Sequence, residues 1–174
     1  MSKYLLDNQT SDRLLYRKLT DSDFEDWLPF YNDPRSTQYW DGLPKDPVEA
    51  CKAQFERVFE RYQNDFGGMN ALILKESGKL IGICGLLVQT VDNVKELEIG
   101  YSVLPNYWLK GLASEAARKC KAFAFENNFS DSLISIIHVD NIPSQKVAIN
   151  NGMYLDKTTV YKNNPVHIFR VKRG

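Results

Sequence analysis

The chain has 174 residues, with 22 lysines and arginines against 22 aspartates and glutamates, so its formal net charge is zero. This balance argues against a general nucleic-acid-binding protein, which carries a clear basic excess. No apolar run approaches the roughly 20 residues that cross a bilayer, which argues against a membrane protein. With 43% hydrophobic residues, the composition predicts a single globular domain over residues 1–174.

The cysteines and histidines favour neither a disulfide framework nor a metal site. Cys51, Cys84 and Cys120 lie far apart within apolar patterns, so we expect reduced core thiols in a cytoplasmic protein. His138 and His167 have no second ligand near them in sequence. Both a metal centre and a Ser-His-Asp triad are therefore disfavoured.

The first half of the chain predicts one strand, two helices and then a hairpin. Residues 1–12 are expected to be a poorly ordered lead-in. A capping box at Thr20 and Asp23 begins the first helix, and Ser77-Gly78 joins the two strands of the hairpin. The predicted elements are strand 13–19, helices 20–31 and 46–65, and strands 69–76 and 79–89.

The second half predicts a β-α-β unit followed by a helix and a second hairpin. The unit should have a right-handed crossover and parallel strands. Residues 163–165 are expected to turn the closing hairpin. The predicted elements are strand 94–104, helix 111–128, strand 133–139, helix 142–150, and strands 153–162 and 166–172. Together with the first half they predict a mixed α/β sheet.

The stretch from Gly100 to Ala117 contains a possible anion site. A strand ends near Pro105, a short loop follows, and Gly111 opens a helix with small residues in its first turn. Unpaired N–H groups and the helix dipole at such a start can hold a phosphate. A plain connection between strand and helix explains the same pattern. Neither a Walker nor a dinucleotide-binding glycine motif is present.

Glu98 is the candidate general base. It lies in the middle of strand 94–104 on the same side as Gly100 and Ser102, where the glycine leaves space for a ligand or another backbone. A carboxylate just upstream of an anion site can accept a proton from a reacting group. The alternative is that Glu98 faces solvent, which is what we expect for Glu96.

Two further groups of residues have both a functional and a structural interpretation. Asn141 and Ser144 follow the apolar strand 133–139, where crevices form in open sheets, but Asn141 could equally cap the next helix. Tyr39 and Trp40 lie in a polar loop, where they either cover the core or contact a substrate.

The combination ELEIGYSVLPNYWLKGLASEAA and, further on, HVDNIPSQKVAINNGM resembles the GNAT acetyltransferases. It is most similar to the branch of the ribosomal-protein N-acetyltransferases RimJ and RimL, and RLLYRKLTDSDFEDW resembles the opening of that branch. The resemblance implies a mostly antiparallel seven-stranded sheet with a central, splayed parallel pair and about four helices. It also implies an acyltransferase that moves an acetyl group from acetyl-CoA to a primary amine.

The resemblance assigns cofactor contacts to specific positions. The family motif Q/R-x-x-G-x-G/A falls on residues 108–113, with Trp108 at its first position, and its N–H groups would hold the pyrophosphate of CoA. Pantetheine would run along residues 101–104, where the N–H of Val103 would polarise the acetyl carbonyl. The implied cofactor-binding residues are Tyr101, Ser102, Val103, Leu104, Trp108, Leu109, Lys110, Gly111, Leu112, Ala113, Ser114, Asn141 and Ser144.

The resemblance also implies catalytic roles. Glu98 matches the general base of the family. Many members carry a tyrosine acid at the position of Ala148, so Ser144, or water, would protonate the CoA thiolate here. The acceptor would be a small-molecule amine or a protein N-terminus, contacted by Tyr39, Trp40 and Tyr161.

Two further points stay open at the level of the sequence. Related proteins are often dimers, although no feature of this sequence argues for a homodimer. A non-catalytic acyl-CoA-binding or regulatory module on the same fold is the alternative function, and a solvent-facing Glu98 would favour it.

Overall fold

The alternating and helical hydrophobic patterns of the chain assemble into one eight-stranded mixed sheet, described for residues 2–174 by a computed structural model. The strand order is β1-β2-β3-β4-β5-β6-β8-β7, and only β5 and β6 run parallel. The strands are β1 (Gln9–Thr10), β2 (Leu14–Lys18), β3 (Gly67–Leu74), β4 (Leu80–Val91), β5 (Val94–Val103), β6 (Ser132–His138), β7 (Tyr154–Tyr161) and β8 (Asn164–Lys172). The helices are α1 (Phe24–Asn32), α2 (Pro34–Thr37), α3 (Pro47–Gln63), α4 (Leu112–Glu126) and α5 (Ile142–Asn150).

Helices cover both faces of the sheet, because β4 is apolar on both of its sides. Ile83 belongs to a buried cluster with residues of α1 and α3. Its neighbour Cys84 points the other way, into a cluster with residues of α4. A strand buried on both faces reads as a continuous apolar run, which explains the composition of β4. We refer below to the α1–α3 side as the front face and to the α4–α5 side as the back face.

The parallel pair at the centre of the sheet is splayed. Glu98 of β5 and Ile134 of β6 form the only pair in register between these two strands among residues 2–174. On the other side, β6 pairs with β8 along its whole length, from Ser132 to His138. The strands β5 and β6 therefore diverge beyond Glu98 and leave a gap between them.

The predicted fold class is confirmed, with two additions to the count of elements. Two residues, Gln9 and Thr10, pair with β2 and make an eighth strand in place of the seven expected. The one-turn helix α2 raises the number of helices from the expected four to five. Both additions are too short to give a periodic sequence signal.

The prediction of a poorly ordered lead-in is wrong for residues 2–12, and Met1 lies outside the described residues. Leu5 and Leu6 are buried at 8% and 0% exposure. The backbone N–H of Leu6 donates to the side-chain oxygen of Asn70 at 3.1 Å. Two apolar residues in a short polar segment give no hydrophobic periodicity, so the sequence did not indicate that the segment is ordered. Burial of the two leucines offsets the conformational entropy that is lost when the segment becomes ordered.

The closing hairpin turns earlier than the sequence predicted. Lys162 and Asn163 form the turn, both with left-handed backbone angles (φ of 48° and 66°). Asn164 and Pro165, expected in the turn, are the first residues of β8. Two consecutive left-handed residues match the right-handed twist of the flanking strands, which favours a two-residue turn.

The cysteines lie in the core, as the sequence-based expectation had them. Cys51, Cys84 and Cys120 are buried free thiols. Within residues 2–174, we find no helix with the length and apolarity that a membrane crossing requires.

We expect Leu6→Ala to lower the free energy of unfolding by about 2–5 kcal/mol, because it removes a fully buried side chain and leaves a cavity. Urea unfolding at equilibrium measures this change. Lys3→Ala, at an exposed position of the same segment, is the control and should change stability by less than about 0.5 kcal/mol. If Leu6→Ala changed the free energy of unfolding as little as the control, the conclusion that the N-terminal segment packs into the core would be wrong.

Candidate active site

Glu98 lies at the point where β5 and β6 separate. Its carboxylate is half-buried on the front face and accepts a hydrogen bond from the backbone N–H of Ile136 at 3.4 Å. In a regular parallel ladder this N–H would bond to the backbone of β5. The carboxylate therefore takes the place of the first ladder bond that the splay breaks.

Gln89 of β4 holds the other oxygen of Glu98. Its Nε2 donates to Glu98 Oε1 at 3.0 Å. Its Oε1 accepts from Arg61 Nη2 at 3.0 Å and from the Tyr161 hydroxyl at 2.9 Å. Two donors on the amide oxygen fix the orientation of the amide, so its nitrogen must face Glu98. Sequence reasoning missed Gln89, because only the pairing of β4 with β5 brings it beside Glu98.

Burial raises the pKa of Glu98 above the ordinary glutamate value. The hydrogen bonds from Gln89 and Ile136, and the charges of Arg61 and Lys162, act in the opposite direction but do not cancel the desolvation. A carboxylate with a raised pKa is a stronger base than one in water.

Glu96, two residues earlier on the same side of β5, has a different environment. The sequence predicted that it faces solvent, but its side chain is only 11% exposed and pairs with Arg170 at 2.5 Å. The ion pair neutralises the charge of Glu96. Among residues 2–174, Glu98 forms no salt bridge, which distinguishes it from Glu96.

Gly100 does not leave space for a ligand, contrary to the expectation. A Cβ atom there would lie 2.8 Å from Leu87 Cδ1 and 3.4 Å from Met69 Sδ. The glycine is therefore needed for packing on the front face, where side chains of β3 and β4 fill the position.

The backbone of β5 presents unpaired groups to the gap. Ile99 O accepts from the Ser135 hydroxyl of β6 at 2.8 Å, which shows that the backbone groups of Ile99 face β6. Because strand residues alternate in direction, those of Tyr101 and Val103 face the gap too. Val103 O accepts from the Trp108 indole at 2.7 Å. The N–H groups of Tyr101 and Val103 are left to meet a ligand that enters the gap.

Ser102 and Leu104 face the opposite direction. The N–H of Leu104 donates to Ile81 O at 2.9 Å, and Ser102 pairs in register with Ile83 of β4. Contacts of these two predicted cofactor residues with a ligand in the gap would therefore involve their side chains.

Tyr101 and Ser144 meet on the back face beside the gap. The Tyr101 hydroxyl donates to Ser144 O at 2.7 Å, and the Ser144 hydroxyl donates to the Tyr101 oxygen at 3.1 Å. Asn141 Oδ1 accepts from Ser144 N at 3.2 Å and caps α5. The capping interpretation of Asn141 is confirmed. The contact between Tyr101 and Ser144 had no sequence signal, since 43 residues separate them.

The start of α4 offers a run of unpaired donors. None of the six backbone N–H groups from Leu109 to Ser114 donates a hydrogen bond within residues 2–174. Gly111 has a left-handed backbone (φ of 75°), and so does the fully exposed Leu109 (φ of 61°). The loop geometry and the helix dipole together favour an anion at this position.

A buried carboxylate holds the start of α4 against β2. Glu115 accepts hydrogen bonds from the Ser11 hydroxyl at 2.6 Å and from both Arg13 N and Arg13 Nε at 2.8 Å. Arg13 Nη1 also donates to Lys110 O at 2.8 Å. Burial opposes ionisation of Glu115, but these hydrogen bonds lower its pKa below the ordinary value.

Of the aromatic residues predicted to contact a substrate, Tyr161 is joined to Glu98 through Gln89, and Trp40 and Tyr39 lie along β6 on the front face. Trp40 and Tyr161 pack against the buried cluster that contains Ile134 and Ile136. The ring of Tyr39 lies 6.1 Å from that of His138. Asn164 Oδ1 accepts from Asp41 N at 3.1 Å and so ties the aromatic loop to the closing hairpin.

Comparison with known families and sequences gives consistent matches. The family model described as an acetyltransferase (GNAT) domain matches residues 13–154. YkkB of Bacillus subtilis (strain 168) is 31% identical over 166 residues, covering 93% of this chain and 94% of that protein. The N-acetyltransferase p20 of Bacillus licheniformis is 27% identical over 137 residues, covering 79% of this chain and 76% of that protein.

Solved structures share the fold. An acetyltransferase from Agrobacterium tumefaciens str. C58 superposes with a TM-score of 0.80 at 24% identity, covering 95% of this chain and 94% of that one. The ribosomal L7/L12 α-N-protein acetyltransferase RimL, solved with coenzyme A, gives a TM-score of 0.76 at 15% identity over 95% and 97% of the two chains.

We expect Glu115→Gln to lower the free energy of unfolding by about 1–2 kcal/mol at pH 7, since it weakens charge-assisted hydrogen bonds to a partly exposed arginine. Because the folded-state pKa of Glu115 is lowered, its contribution is present above the unfolded pKa and is lost as the pH falls through the folded pKa. The difference between wild type and variant should therefore shrink in acid.

Urea unfolding at neutral and acidic pH measures both effects. Glu126→Gln, at the exposed last residue of the same helix, is the matched control. A difference in unfolding free energy between wild type and Glu115→Gln that does not change with pH would contradict the conclusion that ionised Glu115 anchors the helix.

Proposed function

The chain belongs to the GNAT family of N-acetyltransferases, and we propose that it transfers an acetyl group from acetyl-CoA directly to a primary amine, with Glu98 as the general base. The observation that carries this proposal is the position of Glu98. Within the described residues 2–174 it is a half-buried carboxylate without an ion-pair partner, at the head of the gap between the parallel strands.

The residues at the gap and at α4 fit acetyl-CoA as the acetyl donor. The six unpaired N–H groups of residues 109–114 would hold the pyrophosphate through backbone atoms. The gap-facing backbone groups of Tyr101 and Val103 would pair with pantetheine. When bound, acetyl-CoA supplies an acetyl group as a thioester, which an amine can attack.

Glu98 accepts the proton that the acceptor ammonium must lose before its nitrogen can attack. The N–H of Tyr101 or of Val103 donates to the acetyl oxygen as negative charge develops on it. Along β5 the N–H of Tyr101 is the nearer of the two to Glu98. Holding the amine and the thioester side by side supplies much of the rate gain.

Ser144 is the proposed proton donor to the departing thiolate. Its hydroxyl is hydrogen-bonded to that of Tyr101, so a proton lost by Ser144 could be replaced from Tyr101. Burial raises the pKa of Tyr101, which keeps its hydroxyl protonated at neutral pH. Ala148 occupies the position at which many members of the family carry a tyrosine acid, and its methyl side chain has no acidic proton to donate.

The alternative, a non-catalytic acyl-CoA-binding or regulatory module, would be favoured by a solvent-facing Glu98. Its hydrogen bonds, half-burial and raised pKa argue for the enzyme instead. For the acceptor we propose a small amine or a protein N-terminus, enclosed by Tyr39, Trp40 and Tyr161. The buried free thiols are in keeping with a reducing compartment, and we propose the cytoplasm.

We expect Glu98→Gln to reduce the rate of acetyl transfer by about 10²–10⁴-fold, the usual contribution of a general base. A thiol-release assay with acetyl-CoA and an amine panel measures the rate. CoA should raise the melting temperature of the variant and of the wild type equally, since Glu98 is not part of the pyrophosphate site. Equal rates in the two proteins would remove Glu98 as the base.

The pH dependence of kcat/KM should report the raised pKa of Glu98. Activity should fall as the pH decreases through that pKa, because the base becomes protonated, and the fall should begin above the ordinary range of a glutamate. Gln89→Met removes a hydrogen bond that lowers this pKa, so the acid limb should move to higher pH. An acid limb that stays in place would contradict the pairing of Gln89 with Glu98.

A further inference from the structure

A cavity of about 410 Å³ opens between the second half of α3 and the end of β4. Gln89 forms part of its wall, and Gln89 is hydrogen-bonded to Glu98. The cavity therefore lies one side chain away from the proposed base. Its other walls include Arg57, Glu60 and Arg61.

Positive charge dominates this region of the front face. Arg61 and the Tyr161 hydroxyl both donate to Gln89 Oε1, which places Lys162, the next residue of the hairpin, beside the arginines of α3. Arg57 and Arg61 lower the pKa of Lys162, after burial as the larger cause. The acidic groups nearby are Glu60 and Glu98. None of the three cations forms a salt bridge among residues 2–174.

The three cations differ in what they are available to bind. Arg61 donates to the carbonyl oxygens of Phe66 and Val88 and to Gln89, so its guanidinium is held by neutral groups. Arg57 is exposed one turn before Arg61 on α3, and its side chain makes no hydrogen bond within residues 2–174. Lys162 reaches over the Tyr161 ring from the hairpin turn. Arg57 and Lys162 thus have charge available for a ligand.

We propose that the acceptor is a primary amine that also bears an acidic group, a carboxylate or a phosphate, which Arg57 and Lys162 bind. The inference rests on the proposed acetyl transfer at Glu98 and specifies its acceptor. An acceptor with only positive charges would be repelled by the three cations as it approached Glu98. An acidic group relieves the repulsion among them, and arginine is well suited to carboxylate and phosphate.

The spacing of the site restricts the acceptor further. The single amide group of Gln89 separates Arg61 from Glu98, with hydrogen bonds of 3.0 Å on either side. Arg57 lies four residues before Arg61 on α3, which is about 6 Å away, so the amine and the acidic group should belong to one small molecule or one short peptide segment. This chemistry occurs in small amino acids and amino phosphates, and also at a protein N-terminus that is followed by an acidic residue.

The test compares matched acceptors in the thiol-release assay. The pairs are β-alanine with β-alaninamide, O-phosphoethanolamine with O-methylethanolamine, and the peptide Ala-Asp-Leu with Ala-Asn-Leu. The proteins are the wild type, the double variant Arg57→Gln/Lys162→Gln, and Lys52→Gln as a control cation on the exposed first half of α3. The pair that discriminates identifies the source of the acidic group.

The wild type and Lys52→Gln should prefer the acidic member of at least one pair by tenfold or more in kcat/KM. The double variant should lose that preference when the rates are compared at a pH above the acid limb, where the charge of Lys162 no longer affects the fraction of ionised Glu98. Equal use of acidic and neutral amines by the wild type, or a preference that survives in the double variant, would overturn the inference and leave the acetyltransferase proposal standing.

A second readout does not depend on transfer. Calorimetric binding of the N-acetylated acids should be at least tenfold weaker in the double variant than in the wild type. If no amine in the panel is acetylated but this difference is found, the proposed transfer at Glu98 falls and the acidic-ligand site stands. Binding that is equal in both proteins would overturn the acidic-ligand site.

Discussion

The site depends on the loss of pairing between β5 and β6 beyond a single residue pair. Two parallel strands that pair along their length have no room between them for a ligand. Here the ladder stops at Glu98 and Ile134, and the next N–H of β6 turns to the Glu98 carboxylate. The break in the sheet creates the gap, exposes the backbone of β5 and positions the carboxylate of Glu98. The proposed binding site and the proposed proton acceptor thus have one structural origin.

The proposed proton transfer also requires a carboxylate that is shielded from solvent but not paired with a cation. Glu96 and Glu98 share one side of β5, yet Arg170 pairs with Glu96 while a neutral glutamine holds Glu98. An arginine in place of Gln89 would stabilise the ionised form and weaken the base. Gln89 accepts a hydrogen bond from Arg61 and donates one to Glu98, so the guanidinium orients the amide without itself pairing with the carboxylate. The amide therefore keeps Glu98 oriented and basic at the same time.

Much of the fold could be predicted from the sequence, because local periodicity and turn residues define the longer helices and strands. The positions of Glu98 within a strand and of Gly111 at the start of α4 were also predictable, since both lie in or directly beside one strand and its connection. Gln89, the contact between Tyr101 and Ser144, and the pairing of Glu96 were not. These features depend on which strands become neighbours, and a single sequence contains no signal for such long-range contacts. The packing of residues 2–12 was missed for the same reason.

The anchoring of the α4 start to β2 has a consequence for the order in which the molecule is built. Ser11 and Arg13 reach Glu115 across 104 and 102 residues of chain. Contacts between residues so far apart in sequence form slowly. During synthesis β2 can pair with β3 first, but its link to Glu115 forms only after α4 has emerged, so the proposed anion site is completed late. Affinity for an anion at the start of α4 should then be a property of the fully assembled domain, and a partly unfolded form that releases β2 should bind the proposed cosubstrate less tightly.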